Sequence, residues 1–409
     1  MNFDPYDHLL QDDPYPVYRR LRRESPLHHN TEHDFWVLTR HADVSAALRA
    51  DRAYSNTMGV SMDKSAWSPH AHVVMSFLAM DPPEQSRLRK LVSRGFTPRR
   101  VAEMEPRIQR ITDHYLDRLL TGAGPGATAS FDWIGDLAGK VPMDVISEML
   151  GVPEPDRVEV RRLADLLVQR EDGLRDVPSA GLDAGLRLME YYRNHVAERH
   201  RRPTDDLTSA LLAADGEGTD GGADGGERMT DDEVVAFLFL MVVAGNETTT
   251  KLLGNAIYQL TAHPEQRDLV FGDPTLIPAW VEETLRFDTS TQLLARHLVE
   301  DVTLHDVTAP AGAQVLLALG SAGRDDAVFS APDTFDVTRS KDELARILSF
   351  GGGRHYCLGA SLARLEANIV LREVVRRFRT VEVDHERCLR FYSANVRGYA
   401  YLPVTAEVR

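Results

Sequence analysis

FGGGRHYCLG, residues 350–359, stands directly before a run with helical spacing, ASLARLEANIVLREVVRRF (360–378). Gly351, Gly352 and Gly353 precede Cys357, and Gly359 follows it. A helix N-terminus presents unpaired backbone N–H groups and the positive end of the dipole. A cysteine at its mouth is therefore biased toward the thiolate, the form that attacks electrophiles and binds metals. Glycines admit backbone conformations closed to other residues and let a large flat ligand come close to the chain. From these residues alone, Cys357 reads as a metal ligand, a nucleophile or a buried thiol in a glycine-rich turn. A zinc site needs further Cys or His at ligand spacing, and only His355 is near. A cysteine hydrolase needs a base and an orienting group, for which the sequence carries no signature. A G-x-x-x-x-G-K-[ST] phosphate loop is absent from it too.

The spacing F-G-x-G-x-H-x-C-x-G, carried by Phe350, Gly351, Gly353, His355, Cys357 and Gly359, resembles the haem-ligand loop of the cytochrome P450 family. The resemblance implies a mainly α fold with small β-sheets, a cytochrome P450-like fold in which a long central helix crosses the haem. It also implies haem b as cofactor and Cys357 as the thiolate axial ligand, which pushes electron density onto iron and favours O–O cleavage.

With 409 residues, 43% hydrophobic and 27% charged, the chain has the balance of a globular protein able to bury a large core. A net charge of −15 argues against nucleic acid as a partner, because phosphate-binding surfaces are basic. Two cysteines, Cys357 and Cys388, suit a reducing compartment rather than a disulfide framework. The start, MNFDPYDHLLQDDPYP, lacks the basic-then-apolar layout of a signal peptide, and the longest apolar run, 234–244, is too short to span a bilayer. The expectation is a soluble, cytoplasmic protein with no membrane partner.

YPVYRRLRRESPL (15–27) has amphipathic helical spacing, HDFWVLTR (33–40) reads as a strand, and HADVSAALRA (41–50) returns to helix. Residues 54–80 show no clean period but hold Met58, Val60, Met62, Trp67, Val74 and Phe77, as suits either a loop folded over something apolar or a plain surface loop. By the resemblance this stretch lines the substrate pocket, with Trp67 and Phe77 as candidates. In DPPEQSRLRKLVSRGFTP (81–98), Asp81 is placed to cap a helix made basic by Arg87, Arg89 and Lys90. That helix resembles the family's carrier of an H-x-x-x-R pair for the haem propionates. Arg89 matches the arginine, while Gln85 stands where the histidine belongs and brings a donor without charge. Helix-patterned segments follow to residue 213. ADGEGTDGGADGGER (214–228) cannot bury enough apolar surface to order itself, and it reads as a flexible acidic loop inside one domain, 1–409.

Thr230 and Glu233 form a capping-box pattern ahead of 234–244, which is apolar all round as in a helix through the middle of a core. Gly245, Asn246, Glu247, Thr248, Thr249 and Thr250 then break the pattern, and a buried acid with several hydroxyls is costly unless paired. Such a local violation points to function. AGNETT resembles the family's A/G-G-x-D/E-T motif at Ala244, Gly245, Glu247 and Thr248. The match implies that Thr248 hydrogen-bonds dioxygen, that Glu247 relays protons, that Gly245 leaves room for the gas, and that Val243 lines the pocket.

Glu283 and Arg286 lie three apart on one helix face, where they can pair. By the resemblance, Arg339 of FDVTR completes a structural network with them. Arg296 then falls at a propionate position beside Arg89 and His355, with Leu293, Leu294 and Val396 facing the substrate. GRDDAVFSAPDTF departs from the family's N-R-D-P segment at Gly323 and Asp326.

The resemblance implies a haem-thiolate monooxygenase that inserts one oxygen atom of O2 into a hydrophobic small molecule by hydroxylation or epoxidation. The expected substrate is a secondary metabolite such as a polyketide, macrolide or terpenoid. Steroid or fatty-acid hydroxylation, and peroxide-driven or non-oxygenase chemistry, are the alternatives. The chain has no flavin or iron–sulfur segment of its own, so a ferredoxin and an NAD(P)H-dependent ferredoxin reductase are the implied electron donors to a monomer.

Overall fold

The computed structural model describes residues 3–171, 174–213 and 228–409. The stretch 214–228, expected to be a flexible loop, lies outside the described residues except for Arg228.

The expected capping box forms. Glu233 N donates to Thr230 Oγ1 (3.2 Å) and Thr230 N donates to Glu233 Oε2 (2.9 Å), while Asp231, Asp232 and Glu233 place negative charge on the positive end of the dipole. From this cap the helix Asp231–Ala262 runs 32 residues, a length of about 48 Å. The helix therefore extends well past the apolar run from which bilayer crossing was judged. By length and composition it is apolar enough to cross a membrane, yet 72% of its apolar window is buried inside the protein. Helices Val141–Leu150, Arg157–Val168, Ser179–Arg201, Ile277–Phe287 and Ala360–Arg377 pack around it. Apolar residues on every side of the central helix are thereby covered, as its sequence requires.

A five-stranded sheet has the order Leu27–Asn30, Phe35–Leu38, Gln314–Ala318, Leu293–Leu298, Tyr54–Ser55. All its pairs are antiparallel except the one between Phe35–Leu38 and Gln314–Ala318. In a strand, successive side chains point to opposite faces. Leu294 and Arg296 thus share one face and Leu293 and Ala295 the other. Thr128–Asp132, Pro403–Val408 and Phe378–Val383 form a second, antiparallel sheet.

Asp81 does not cap the helix Glu84–Val92. Its carboxylate instead accepts from Ser55 Oγ (2.6 Å) and Asn56 N (2.9 Å), because two prolines separate it from the first turn and the strand at Tyr54–Ser55 supplies nearer donors. Helix Ile277–Phe287 anchors the chain leading into the Cys357 loop. Arg286 donates from Nε and Nη2 to both oxygens of Glu283 (2.7 Å each), and Arg339 Nε joins Oε2 at 3.0 Å, with all three side chains buried. Remaining guanidinium donors reach the carbonyls of Gly323, Pro332, Thr334 and Ser330. A Cβ on Gly323 would stand 2.3 Å from Arg286 O, so glycine is what lets this loop close on the helix.

Candidate functional site

Cys357 N donates to Phe350 O (2.9 Å) and closes the 350–357 loop ahead of helix Ala360–Arg377. Gly353 sits at φ +62, and a Cβ there would meet Leu48 O at 2.4 Å, so both the backbone conformation and the close approach demand glycine. The Arg364 guanidinium lies 4.4 Å from the Phe350 ring centroid and pairs with both oxygens of Glu282, which fixes the start of the helix against the loop. Nothing stands within 4 Å of a Cβ built on Gly359.

The Cys357 sulfur receives the amides of Gly359 and Ala360, as its place at a helix mouth predicts. Enclosure by the protein nonetheless pushes the thiol up, against the downward pull of those amides, Arg89 and Arg364. Helix position and burial thus pull the thiol in opposite directions. A metal cation at the sulfur would supply the missing charge, since a coordinating thiol is deprotonated outright. Cys357 is also accessible in spite of its surroundings, which leaves a ligand position open beside it.

Arg296 tests the fit of an anionic, flat cofactor. Its side chain is buried, Nη1 donates to Ala295 O (2.8 Å), and among the described residues no carboxylate lies within ion-pair distance. Burial lowers its pKa to about 10. Arg89 faces the same region and donates to Tyr356 O (2.5 Å), while His355 Nδ1 is buried without a hydrogen-bond partner. Burial and then the charges of Arg296 and Arg89 push the His355 pKa down to about 3. Two guanidiniums and a spare ring nitrogen without a counter-charge suit the carboxylates of haem b. Gln85 is committed elsewhere: Nε2 donates to Arg354 O (2.9 Å) and ties helix Glu84–Val92 to the loop.

Between residues 234 and 257 the central helix is buried at every position except Val243, Ala244, Gly245 and Thr248. Val243 and Ala244 pack into the same apolar cluster as Phe350 and Leu358 from the Cys357 loop. Thr248 Oγ1 donates to Ala244 O (2.8 Å). The missing Cβ of Gly245 points to Ile146 at 3.5 Å, an ordinary contact. A Cβ would fit there, so packing on helix Val141–Leu150 does not itself demand glycine. Glu247 is buried and ion-paired with Lys251 Nζ (3.1 Å), which also reaches Tyr399 O (3.3 Å).

The sequence profile of the family described as Cytochrome P450 matches residues 185–270 and 273–398. "Putative cytochrome P450 123" of Mycobacterium tuberculosis is 50% identical over 406 residues, covering 99% of this chain and 97% of that protein. The chain belongs to the cytochrome P450 family. It is a monooxygenase, and its cofactor is haem b. "Vitamin D(3) 25-hydroxylase" of Pseudonocardia autotrophica is 38% identical over 415 residues, covering 99% of this chain and 97% of that one. Among solved structures, the P450 CYP109Q5 from Chondromyces apiculatus superposes with a TM-score of 0.85 at 34% identity, covering 100% of this chain and 99% of that one.

The pocket candidates of this P450 fall into two groups. Phe77 lies in the main core, 6.4 Å from Phe237 between ring centroids and under the Arg89 guanidinium. Val243 borders the same core, and Leu294 shares a strand face with Arg296. Leu293 and Trp67 pack instead with Phe3, Tyr6, Tyr15 and Tyr18, and Val396 lines a small cavity with Leu293, Phe3 and Phe391. Strand alternation turns Leu293 to the face opposite Arg296. Sequence reasoning missed Lys251 and Asp165. Lys251 was findable as the i+4 partner of Glu247. Asp165 comes from another helix and carries no local signal.

Proposed function

We propose that this P450 hydroxylates or epoxidises a hydrophobic small molecule of the polyketide, macrolide or terpenoid kind, held between the central helix and the Cys357 loop. The supporting observation is the accessible run Val243, Ala244, Gly245 and Thr248 in an otherwise buried helix, next to the cluster that includes Phe350 and Leu358. When bound, haem supplies the activation of dioxygen and the transfer of one oxygen atom. Cys357 would hold the haem iron, the loop residues Phe350, Gly351 and Gly359 would seat the ring, and Arg89, Arg296 and His355 would hold the propionates. Gln85 acts through Arg354. Thr248 offers a hydroxyl donor on the accessible face, and Glu247, one residue earlier, is the carboxyl that relays protons toward it, so the acid and the alcohol act in sequence. Phe77, Val243 and Leu294 shape the apolar side of the pocket, and Glu283, Arg286 and Arg339 keep the loop in place.

A steroid-like substrate is the second reading, favoured by the relative named for hydroxylating vitamin D(3). P450 enzymes draw electrons from redox partners. The specific donors proposed here are a ferredoxin and its NAD(P)H-dependent reductase, serving a cytoplasmic monomer folded as one domain. Reduced, CO-treated protein should show the long-wavelength Soret band of thiolate-ligated haem, lost in Cys357→Ala. Its absence from the wild type rejects the ligand assignment. A spin-state screen of macrolides, terpenoids and steroids decides between the two substrate readings.

A further inference from the structure

Asp165 sits on helix Arg157–Val168, which packs over the central helix at Glu247. The two carboxyl groups meet in a side-chain hydrogen bond. Two carboxylates cannot share such a bond unless one of them keeps its proton. The enclosed atoms agree: Asp165 Oδ1 and Glu247 Oε2 are both cut off from solvent, and Asp165 Oδ1 receives no hydrogen bond from an N–H group of the described residues. Lys251 Nζ stands 3.1 Å from Glu247 Oε2 as an ion pair, and Arg161 stands 3.8 Å from Asp165 Oδ2 on the other side. These are the charged groups that act on the pair. The strands behind Lys251 contribute the Phe391 ring, 3.7 Å from Nζ, and the Tyr399 carbonyl.

The partners differ in access. The Glu247 side chain is 4% exposed, whereas that of Asp165 is 38% exposed through its other oxygen. Burial and the neighbouring Glu247 charge raise the Asp165 pKa. Glu247 is held low by Lys251 and by the bond from Asp165, although its own burial works the other way. The member of the pair that touches accessible space is the one placed to exchange a proton with solvent.

We propose that Asp165 is a positioning residue for the P450 reaction: it shares one proton with Glu247 and passes protons from solvent to it. In the step, Glu247 gives a proton on toward Thr248 as the Asp165 O–H bond breaks and an O–H bond forms on Glu247, and Asp165 then takes a proton from hydronium or a buffer acid in solvent, so the pair returns to one proton and its starting charge.

The delivery role rests on the haem monooxygenase reading, while the shared proton does not. Holoenzyme labelled with 13C at the aspartate side-chain carboxyl is titrated by NMR without substrate. One aspartate should titrate well above the ordinary carboxylate range, vanish in Asp165→Asn and drop in Glu247→Gln. Ordinary titration of every aspartate, or survival of the high signal in Asp165→Asn, overturns the pair. If Asp165→Asn does not fold, the Glu247→Gln titration decides the same point. Delivery is read from product formed per NAD(P)H on the compound giving the largest spin-state shift. Asp165→Asn should lower that ratio by roughly tenfold or more, and Asp165→Glu should restore it. Unchanged coupling in Asp165→Asn overturns delivery. A missing thiolate Soret band rejects the haem reading and delivery with it, and the titration alone then decides the pair.

Discussion

Arg170 closes on Asp63 with both arms of its guanidinium: Nη2 lies 2.6 Å from Oδ2 and Nε 2.9 Å from Oδ1, with the side chains only 9% and 1% exposed. Asp63 accepts two further bonds, from Tyr6 O–H (3.0 Å) and Ser61 Oγ (2.5 Å). The contact fastens the chain just after helix Arg157–Val168 onto the irregular 54–80 stretch. Removing the cation leaves a buried carboxylate with hydroxyl partners alone, a loss of about 3–5 kcal/mol. Arg170→Ala should lower the urea midpoint. It should also speed ligand association in stopped-flow spin-state measurements, and unchanged association rates would mean that this contact does not gate the pocket.

Glu283 carries the pair of guanidiniums that hold the approach to the Cys357 loop. Glu283→Gln leaves Arg286 and Arg339 buried without their carboxylate, a cost of about 3–5 kcal/mol. Expression should yield protein that fails to retain haem, measured as the ratio of Soret to protein absorbance. A variant with the wild-type ratio would contradict the anchoring role.

Much of this was legible in the sequence, and the failures have a common cause. The spacing around Cys357 and the break at Gly245 to Thr250 are local patterns, and both land where the chain needs them. Asp81 was misassigned because a helix-capping pattern cannot reveal that Ser55 and Asn56 lie closer in space. Leu293 and Leu294 were read together as pocket residues, and period-two alternation places them on opposite faces of their strand. Asp165 was beyond reach, since its meaning depends on a carboxyl from a distant helix.

Glu366 is buried in helix Ala360–Arg377, its Oε2 has no hydrogen-bond partner, and burial raises its pKa from 4.5 to about 8. The folded state therefore holds a proton that the unfolded state releases. Stability should fall as pH rises from 4.5 to about 8, with a slope from this group of about 1.4 kcal/mol per pH unit. Glu366→Gln should remove that slope. Chemical denaturation of both proteins at pH 5 and pH 7 is the check, and parallel curves would show that Glu366 is ionised in the fold.

Thr248→Ala should keep haem and the CO spectrum while diverting reducing equivalents to peroxide, read as less product and more hydrogen peroxide per NAD(P)H. The Ala244 carbonyl that Thr248 now serves is a helix acceptor and tolerates the loss. Equal coupling would remove Thr248 from proton transfer.

Arg296 is a buried cation with no carboxylate within ion-pair distance among the described residues, Asp81 and Asp51 acting on it only from farther away, so stripping haem should leave its charge poorly met. Arg296→Leu should accelerate haem transfer to apomyoglobin yet leave the apo form as stable as the wild-type apo form or more so. A destabilised apo variant would show that the guanidinium has a structural partner.

The four accessible positions of the central helix divide the labour of adaptation. Val243, Ala244, Gly245 and Thr248 are the only breaks in burial from 234 to 257, so the helix can alter what it presents at few points without disturbing the core. In the reading proposed above the remaining walls come from residues 54–80 and Leu294, and their half-buried members, such as Val74 and Leu294, are free of that restriction. A lineage could exchange one substrate for another by rewriting those walls, while the machinery for dioxygen is inherited unchanged.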